Sequence, residues 1–119
     1  MATSARKLTG IGCDTEDLAR FRQTIERSPG FIKRWYSAAE REEQQEASDP
    51  LYHALCQFTL KEALIKACWE LKALTPSSIE VLLNEKPRLP KELDAVLSVD
   101  WTLHRHADYA EAEVLVFRN

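Results

Sequence analysis

The longest helical pattern in the chain runs from Pro50 to about Ala73 and constrains the fold more than any other segment. Asp49 followed by Pro50 is typical of a helix start. At 100° per residue, one apolar stripe contains Leu51, Ala54, Leu55, Phe58, Ile65 and Trp69, and a second apolar set contains Leu60, Leu64, Ala67 and Leu71. We therefore expect a central helix that other elements contact from several directions.

Shorter helices are predicted before it. Thr15 is a possible N-cap, with Glu16 and Asp17 in the first turn of a helix that ends near Arg27. The segment 31–36, FIKRWY, predicts a short helical piece. The sequence S-A-A-E, residues 37–40, is a capping-box pattern and predicts a further helix start.

Apolar runs and period-two alternation predict strands at 8–14, 79–83, 96–103 and 112–117. Residues 86–90 read as a proline-bounded loop. These elements predict one α+β domain over residues 1–119, in which a small antiparallel sheet packs on one long helix. Trp35, Trp69 and Trp101 lie on separate elements, and we expect them to pack in the core or at a subunit contact.

The composition is that of an ordinary globular domain, with 119 residues, 45% hydrophobic and 29% charged. No apolar run approaches the roughly 18 to 20 residues that cross a bilayer, and MATSARKLTG lacks the apolar core of a secretory signal. We expect a cytoplasmic protein without membrane contact. Three cysteines without a CxxC spacing predict reduced, buried thiols.

The net charge of −3 disfavours nucleic acid as the main partner, because duplex-binding domains usually carry a net basic balance. The charge is uneven, however, since a basic stretch over residues 20–34 precedes an acidic one over residues 40–49. The basic stretch is either a solvated helix face or a surface for an acidic partner.

Glu62 lies in the middle of the apolar stripe, where a carboxylate is costly unless it is paired, neutral or bound to a cation. Lys66, four residues on, offers a simple helical ion pair. The alternative is a second carboxylate and a divalent cation such as Mg²⁺. Asp14 is the candidate, because it ends an apolar strand at even spacing from Gly10 and Gly12, whose bare face admits other backbone or a ligand.

Two motifs resemble those of the holo-acyl-carrier-protein synthases, the short 4'-phosphopantetheinyl transferases. The segment 10–14, GIGCD, resembles their opening GIGxD, and the segment 58–67, FTLKEALIKA, resembles FxxKEAxxKA. Weaker similarities cover residues 31–40, 79–87 and 109–114, so the resemblance spans nearly the whole chain in order. It implies the phosphopantetheinyl transferase fold, with a small antiparallel sheet on a long central helix.

The resemblance also implies an activity, which is transfer of the 4'-phosphopantetheine arm of coenzyme A to a serine of an apo acyl carrier protein. Mg²⁺ would be the cofactor and coenzyme A the donor substrate. Asp14 and Glu62 would bind the metal, and Glu62 and Lys66 would be catalytic. Lys66, Lys86 and Pro87 would contact coenzyme A. The general base would be Glu62 or a metal-bound water beside it.

The family resemblance further implies partners. Arg20 and Arg27 would bind the acidic helix of the apo acyl carrier protein. Short members of the family complete their sites across subunit interfaces, which implies a homotrimer.

The chain departs from the family pattern at several positions. Gln57 stands where members usually carry an arginine that we expect at the 3'-phosphate of coenzyme A, and the glycine turn after the second motif is missing. Lys61, Lys72 or His53 would have to replace that arginine, or coenzyme A binds weakly. Two alternatives therefore stay open: a homologue that binds coenzyme A or a carrier without efficient turnover, and a Mg²⁺-dependent hydrolase. His104 and His106 are expected to be loop residues.

Overall fold

The computed structural model describes residues 6–119. Within this range the chain forms three strands and five α-helices: β1 Lys7–Asp17, α1 Leu18–Arg27, α2 Phe31–Trp35, α3 Ala38–Glu46, α4 Pro50–Ala67, α5 Lys91–Asp94, β2 Leu97–Arg105 and β3 Tyr109–Arg118. Two 3₁₀ turns, Trp69–Ala73 and Pro76–Ser78, follow α4. The structure thus confirms the α+β prediction, whereas the single-domain boundary at 1–119 stays a prediction.

The three strands form one antiparallel sheet in the order β1-β3-β2, and one face of this sheet packs on α4. The contact is very close, because a Cβ at Gly10 would lie 1.7 Å from the carbonyl oxygen of Ala67, and one at Gly12 would lie 1.9 Å from that of Ala63. Only glycine leaves room for this backbone approach. Side chains alternate along a strand, so Asp14 and Glu16 share the glycine face, toward α4.

The buried surface of α4 differs from the predicted stripe. All four members of the second apolar set are buried, whereas Phe58 and Ile65 are half-buried and Trp69 is 76% exposed. Trp69 is exposed because α4 ends at Ala67, where Cys68 adopts an extended conformation with φ −137° and ψ 101°. The residues after Cys68 therefore no longer follow the periodicity of α4. The predicted end of this helix near Ala73 is wrong.

The first helix begins later than predicted. β1 continues to Asp17, because its pairing with β3 extends through Glu16 opposite Ala110 and Asp17 opposite Tyr109. The N-cap of α1 is therefore Asp17, whose side chain accepts a hydrogen bond from the backbone amide of Arg20 at 2.9 Å. The predicted cap at Thr15 is wrong. The predicted capping box at Ser37 and the predicted helix start at Asp49 and Pro50 are confirmed.

Residues 79–83 do not form the predicted strand. Their pairing is limited to one bridge between Glu80 and Arg88. The backbone amides of Val81 and Leu83 instead donate to carboxylates of α3, at 2.7 Å to Glu40 and 3.1 Å to Glu43. Because these donors are bound by side chains, they are not available for a sheet ladder.

A fully buried ion pair joins α3 to α4. The ammonium of Lys61 lies 2.7 Å from Glu40 and 2.6 Å from the carbonyl oxygen of Trp35, and both charged side chains have no exposed surface. Glu40 also accepts from the amide of Ser37. Desolvation lowers the pKa of Lys61, while Glu40 opposes that shift. Every polar group of this cluster is hydrogen-bonded, which makes its burial tolerable.

The cysteine prediction is confirmed in part. The three thiols are free, and Cys56 and Cys68 are buried, but Cys13 is exposed on the sheet face opposite α4.

Among residues 6–119, no helix combines the length and the apolar content needed to span a bilayer.

We predict that Lys61→Met destabilises the protein by about 3–5 kcal/mol, because it leaves the Glu40 carboxylate buried without a counter-charge. Urea unfolding measures this change. The double variant Lys61→Met with Glu40→Gln is the control and recovers part of the loss, since no net charge stays buried. A single-variant loss below about 1 kcal/mol contradicts the assigned role of the pair.

Candidate active site

Asp14 and Lys66 meet where β1 crosses α4. The Lys66 ammonium lies 2.7 Å from Oδ1 of Asp14 and 3.4 Å from the carbonyl oxygen of Cys13. The Asp14 side chain is 7% exposed and that of Lys66 is 53% exposed. Within the described part of the chain, Lys66 thus pairs with Asp14 and not with Glu62. The simple helical pair, one of the two alternatives that the sequence left open, is not the one that forms.

The second oxygen of Asp14 lacks a partner. Oδ2 is buried and accepts no hydrogen bond from any group within residues 6–119. Buried polar atoms are almost always satisfied, and a buried carboxylate oxygen without a donor is costly. This oxygen is therefore suited to a cation or a donor that comes from outside the described chain.

Three carboxyl groups lie near one another here. Burial is the main cause that raises the pKa of Asp14, and Lys66 partly opposes it. Burial, then the charge of Asp14, raises the pKa of Glu62. Burial, then Asp14 and Glu62, raises the pKa of Glu16 to about 7. The hydrogen bond to Asp14 raises the pKa of Lys66. Three carboxyl groups thus surround a single ammonium group, and each carboxyl group is harder to ionise than usual.

Glu16 is a site residue that sequence reasoning missed. The sequence assigned it to the first turn of α1, whereas the structure has it on β1, two residues beyond Asp14 and on the same face. Extending the even spacing of Gly10, Gly12 and Asp14 by one step would have found it.

The oxygens available fit a hard divalent cation. Asp14 and Glu62 supply carboxylate oxygens, and Mg²⁺ is typically bound by one or two carboxylates, several waters and substrate phosphates. Among the described residues, no three His, Cys, Asp or Glu side chains are arranged to hold an ion by themselves. A site with two protein carboxylates, completed by water and substrate, is compatible with that arrangement.

Gln57, which stands where the family resemblance leads us to expect a phosphate-binding arginine, faces the protein interior. Gln57 is fully buried, where it donates to the carbonyl oxygen of Glu40 and to Glu43, and accepts from Gln44. Lys61 cannot substitute for the missing charge, because its ammonium is buried against Glu40. That suggestion is wrong.

His53 and Lys72 were the other suggested replacements. His53 lies 2.6 Å from Glu43 and is 20% exposed, so its ring is already held. Lys72 is exposed in the first 3₁₀ turn.

Lys86 and Pro87 lie apart from Asp14 within the protomer. They line a cavity of about 340 Å³ together with Leu97, at the start of β2. Leu97 pairs with Arg118, which pairs with Lys7 at the opposite end of β1 from Asp14. The chain alone does not bring these two residues to the carboxylates.

Arg20 lies next to the site, and Arg27 extends the same helix face. Arg20 lines a cavity of about 510 Å³ that Glu16, Phe58 and Tyr109 also line. Arg27 is seven residues further along α1, on the same face, and both arginines are exposed.

His106 lies next to the turn between β2 and β3, and His104 lies in β2 rather than in a loop. The His106 ring stacks on Tyr109, with 4.0 Å between ring centroids, and is 2.7 Å from Glu111.

Known proteins match this chain over most of its length. A family model of the 4'-phosphopantetheinyl transferase superfamily matches residues 10–115. A holo-[acyl-carrier-protein] synthase of Exiguobacterium sibiricum is 32% identical over 113 residues, covering 90% of this chain and 87% of that protein. The chain therefore belongs to the 4'-phosphopantetheinyl transferase superfamily.

Two further matches agree. A holo-[acyl-carrier-protein] synthase of Clavibacter michiganensis is 37% identical over 78 residues, covering 66% of this chain and 60% of that protein, so the match spans less than two thirds of that relative's length. The solved ACPS-CoA complex of Chronobacterium ammoniagenes is 22% identical, covers 98% of this chain and 99% of that chain, and superposes with a TM-score of 0.75. The predicted family and fold are confirmed.

We predict that Glu16→Gln stabilises the metal-free protein by roughly 1 kcal/mol at pH 8 and has little effect at pH 4. The pKa of Glu16 rises from 4.5 to about 7 on folding, so the folded state keeps a proton that the unfolded state releases between these values. The free energy of unfolding therefore falls as the pH rises from 4.5 to about 7. Above about pH 7 the destabilisation caused by the ionised Glu16 carboxylate is fully present.

Thermal unfolding with a chelator, at several pH values, measures the difference. An equal gain at pH 4 and pH 8 would show that the carboxylate charge is not its cause.

Proposed function

We propose that this chain transfers the 4'-phosphopantetheine arm of coenzyme A to a serine of an apo acyl carrier protein and releases adenosine 3',5'-bisphosphate. The observation that carries the proposal is the buried oxygen of Asp14 beside Lys66, which has no hydrogen-bond partner within residues 6–119. Both residues lie within the range 10–115 that the superfamily model matches. We further propose that the protein acts in the cytoplasm.

Asp14 and Glu62 are the proposed ligands of Mg²⁺. This assignment is supported by the two carboxylates, which are hard oxygen ligands, and by Oδ2 of Asp14, which has no hydrogen-bond partner among the described residues. A bound Mg²⁺ would neutralise negative charge on the pyrophosphate oxygens of coenzyme A.

Lys66 is the proposed phosphate-binding cation. Its side chain is 53% exposed although its ammonium is held by Asp14, so a phosphate group can approach it from solvent. A fixed ammonium stabilises the charge that develops on the transferred phosphoryl group and on the leaving phosphate.

Glu62 is the proposed general base. The serine oxygen of the carrier forms a bond to the phosphorus of the pantetheine phosphate, and the bond from that phosphorus to the adenosine bisphosphate oxygen breaks. The serine proton passes to Glu62. In the metal-free chain, burial and then the charge of Asp14 raise the pKa of Glu62. A general base must lie within hydrogen-bond reach of the proton that it accepts.

The rest of the coenzyme A site requires a second subunit in this proposal. Lys86 and Pro87 lie far from Asp14 within one protomer, and Gln57 offers no charge to the 3'-phosphate. A neighbouring protomer would bring its Lys86 and Pro87 to this site.

We predict that Asp14→Ala and Glu62→Ala each abolish transfer, because the cation loses one of its two protein ligands. The purified protein is incubated with coenzyme A, Mg²⁺ and several apo carrier proteins, and the carriers are weighed by mass spectrometry. The wild type adds the mass of one phosphopantetheine arm. Glu42→Gln, which removes an exposed carboxylate on α3, is the charge-matched control.

Other results separate the alternatives. Cleavage of coenzyme A without carrier modification indicates the hydrolase, and coenzyme A binding with neither reaction indicates the binding homologue. Near-normal transfer in either alanine variant at saturating Mg²⁺ refutes the metal-site assignment.

Arg20 and Arg27 are proposed to bind the acidic helix of the carrier. They are exposed on one face of α1, and Arg20 borders the cavity that Glu16 lines. This arrangement would bring a carrier docked on α1 close to the reacting groups, with its serine toward Glu62.

We predict that Arg20→Glu raises the Michaelis constant for the carrier several-fold and flattens its salt dependence, because attraction between surface charges is screened over about 8 Å at physiological ionic strength. The constant for coenzyme A stays within about twofold. Arg22→Glu, on the same helix but rotated by about 200°, is the matched control. Equal effects of the two reversals would mean that net charge, rather than the Arg20 face, is recognised.

We propose that the protein is a homotrimer and that the sheet face opposite α4 forms its subunit interface. Ile11 is 61% exposed there and Leu115, its β-partner, is 37% exposed. These two side chains border a groove of about 200 Å³ that includes Cys13. Exposed neighbouring apolar side chains on a regular strand surface are typical of an interface between copies.

We predict that Ile11→Glu converts the proposed trimer to a monomer without unfolding it, since a charge cannot be buried unpaired at an apolar interface. Light scattering coupled to size-exclusion chromatography measures the mass. Lys7→Glu, at the exposed end of the same strand, serves as control. An Ile11→Glu protein with wild-type mass removes this face as the interface.

A further inference from the structure

Residues 80–88 form a closed loop that carries Lys86. At the base of this loop, the backbone amides of Glu80 and Arg88 each donate to the other residue's carbonyl oxygen, at 2.9 and 2.8 Å. Lys86 is exposed near the tip. Because Lys86 contacts coenzyme A in the function proposed above, the position of the loop determines where that contact is made.

One face of α3 holds the loop through three hydrogen bonds. Ser37, Glu40 and Glu43 are spaced three residues apart and therefore share this face. The hydroxyl of Ser37 donates to the carboxylate of Glu80 at 2.7 Å. The two glutamates accept hydrogen bonds from backbone amides further along the loop. The loop is thus fixed by side chains of a helix and not by a neighbouring strand.

Glu43 makes the contact nearest to the tip. Its Oε1 accepts from the backbone amide of Leu83 at 3.1 Å, three residues before Lys86. The same oxygen accepts from Gln57 on α4 at 3.1 Å and lies 2.6 Å from Nε2 of His53. One oxygen atom of α3 therefore joins the loop to α4.

The tip of the loop, residues 84–86, is exposed between two buried residues, Leu83 and Pro87. Its position depends on how these two residues are held. The ring of Pro87 restricts its own backbone, whereas the backbone of Leu83 is held by the hydrogen bond to Glu43. Without that bond the tip would occupy its binding position for a smaller fraction of the time, and affinity falls by the same fraction.

We propose that Glu43 is a positioning residue for donor binding, because it holds the loop 80–88 where Lys86 contacts coenzyme A. The inference rests on the proposed function, in which Lys86 makes that contact. Glu43 acts through Lys86 and not on the reacting atoms. The loop requires an acceptor oxygen at one place and not a negative charge, because the Leu83 amide is a neutral donor.

Two variants separate the acceptor oxygen from the charge. Glu43→Gln keeps an oxygen at the same reach and removes the charge. Glu43→Asp keeps the charge and withdraws the oxygens by one carbon–carbon bond, about 1.5 Å. Calorimetry measures the dissociation constant of coenzyme A for the full-length protein in its native assembly. The rate of carrier modification gives kcat and both Michaelis constants.

We expect Glu43→Asp to bind coenzyme A about tenfold more weakly, as for a loop that is in place about one tenth of the time. Glu43→Gln should stay within about threefold of wild type. The Michaelis constant for coenzyme A rises with the dissociation constant, while kcat and the constant for the carrier stay nearly unchanged. Hydrogen exchange at the Leu83 amide becomes faster in Glu43→Asp than in Glu43→Gln.

Gln44→Leu is the matched control. Gln44 is the next residue of α3, is buried and donates to Gln57 at 2.6 Å, so its loss weakens the contact of α3 with α4 but leaves the bond to the loop in place. Its affinity for coenzyme A should stay within about twofold of wild type. An equal loss in Gln44→Leu, wild-type affinity in Glu43→Asp, or weaker binding in Glu43→Gln than in Glu43→Asp overturns the inference.

Lys86→Ala separates failure of this inference from failure of the proposed function. Weaker coenzyme A binding in Lys86→Ala, with wild-type binding in Glu43→Asp, refutes the role of Glu43 alone. Unchanged binding in Lys86→Ala refutes the proposed donor contact, and the role of Glu43 with it. Thermal unfolding and light scattering of each variant show that it is folded and assembled, so that weak binding is not caused by unfolding or dissociation.

Discussion

The backbone-to-backbone contact between β1 and α4 is the constraint on which the rest of the structure depends. It exists because Gly10 and Gly12 have no side chains where Ala63 and Ala67 approach. The short distance brings the next residue on that face, Asp14, within reach of Lys66 on α4. Any larger residue at either glycine would push the strand from the helix and separate the groups of the site.

Whether an element of the fold could be predicted depended on whether its interactions are local in the sequence. Local signals fixed the starts of the helices, since the capping box at Ser37 and the Asp49-Pro50 pair depend only on neighbouring residues. The end of α4 and the conformation of 79–83 depend on distant groups. The amides of Val81 and Leu83 bind carboxylates about 40 positions earlier in the sequence, and no local pattern encodes that.

The site was predictable in its parts but not in its pairing. The apolar strand and the interrupted helical stripe singled out Asp14 and Glu62. Spacing along the sequence could suggest only a Glu62–Lys66 ion pair, because it carries no information on the ion pair between Lys66 and Asp14 on two different elements. Glu16 was assigned to a helix because Thr15 is a common N-cap residue. Strand pairing with β3 overrode that preference, since it satisfies backbone groups that a helix start would leave open.

β1 has different chemistry on its two faces. Carboxylates face α4, whereas Ile11 and Cys13 face outward, and adjacent residues differ in direction. A deletion or insertion of one residue between Ile11 and Asp14 would reverse the facing of one part of the strand relative to the other. Either the acidic side chains would then reach solvent, or Ile11 would collide with the backbone of α4. The register of β1 against β3 is therefore as essential to the site as its glycines and its acidic residues.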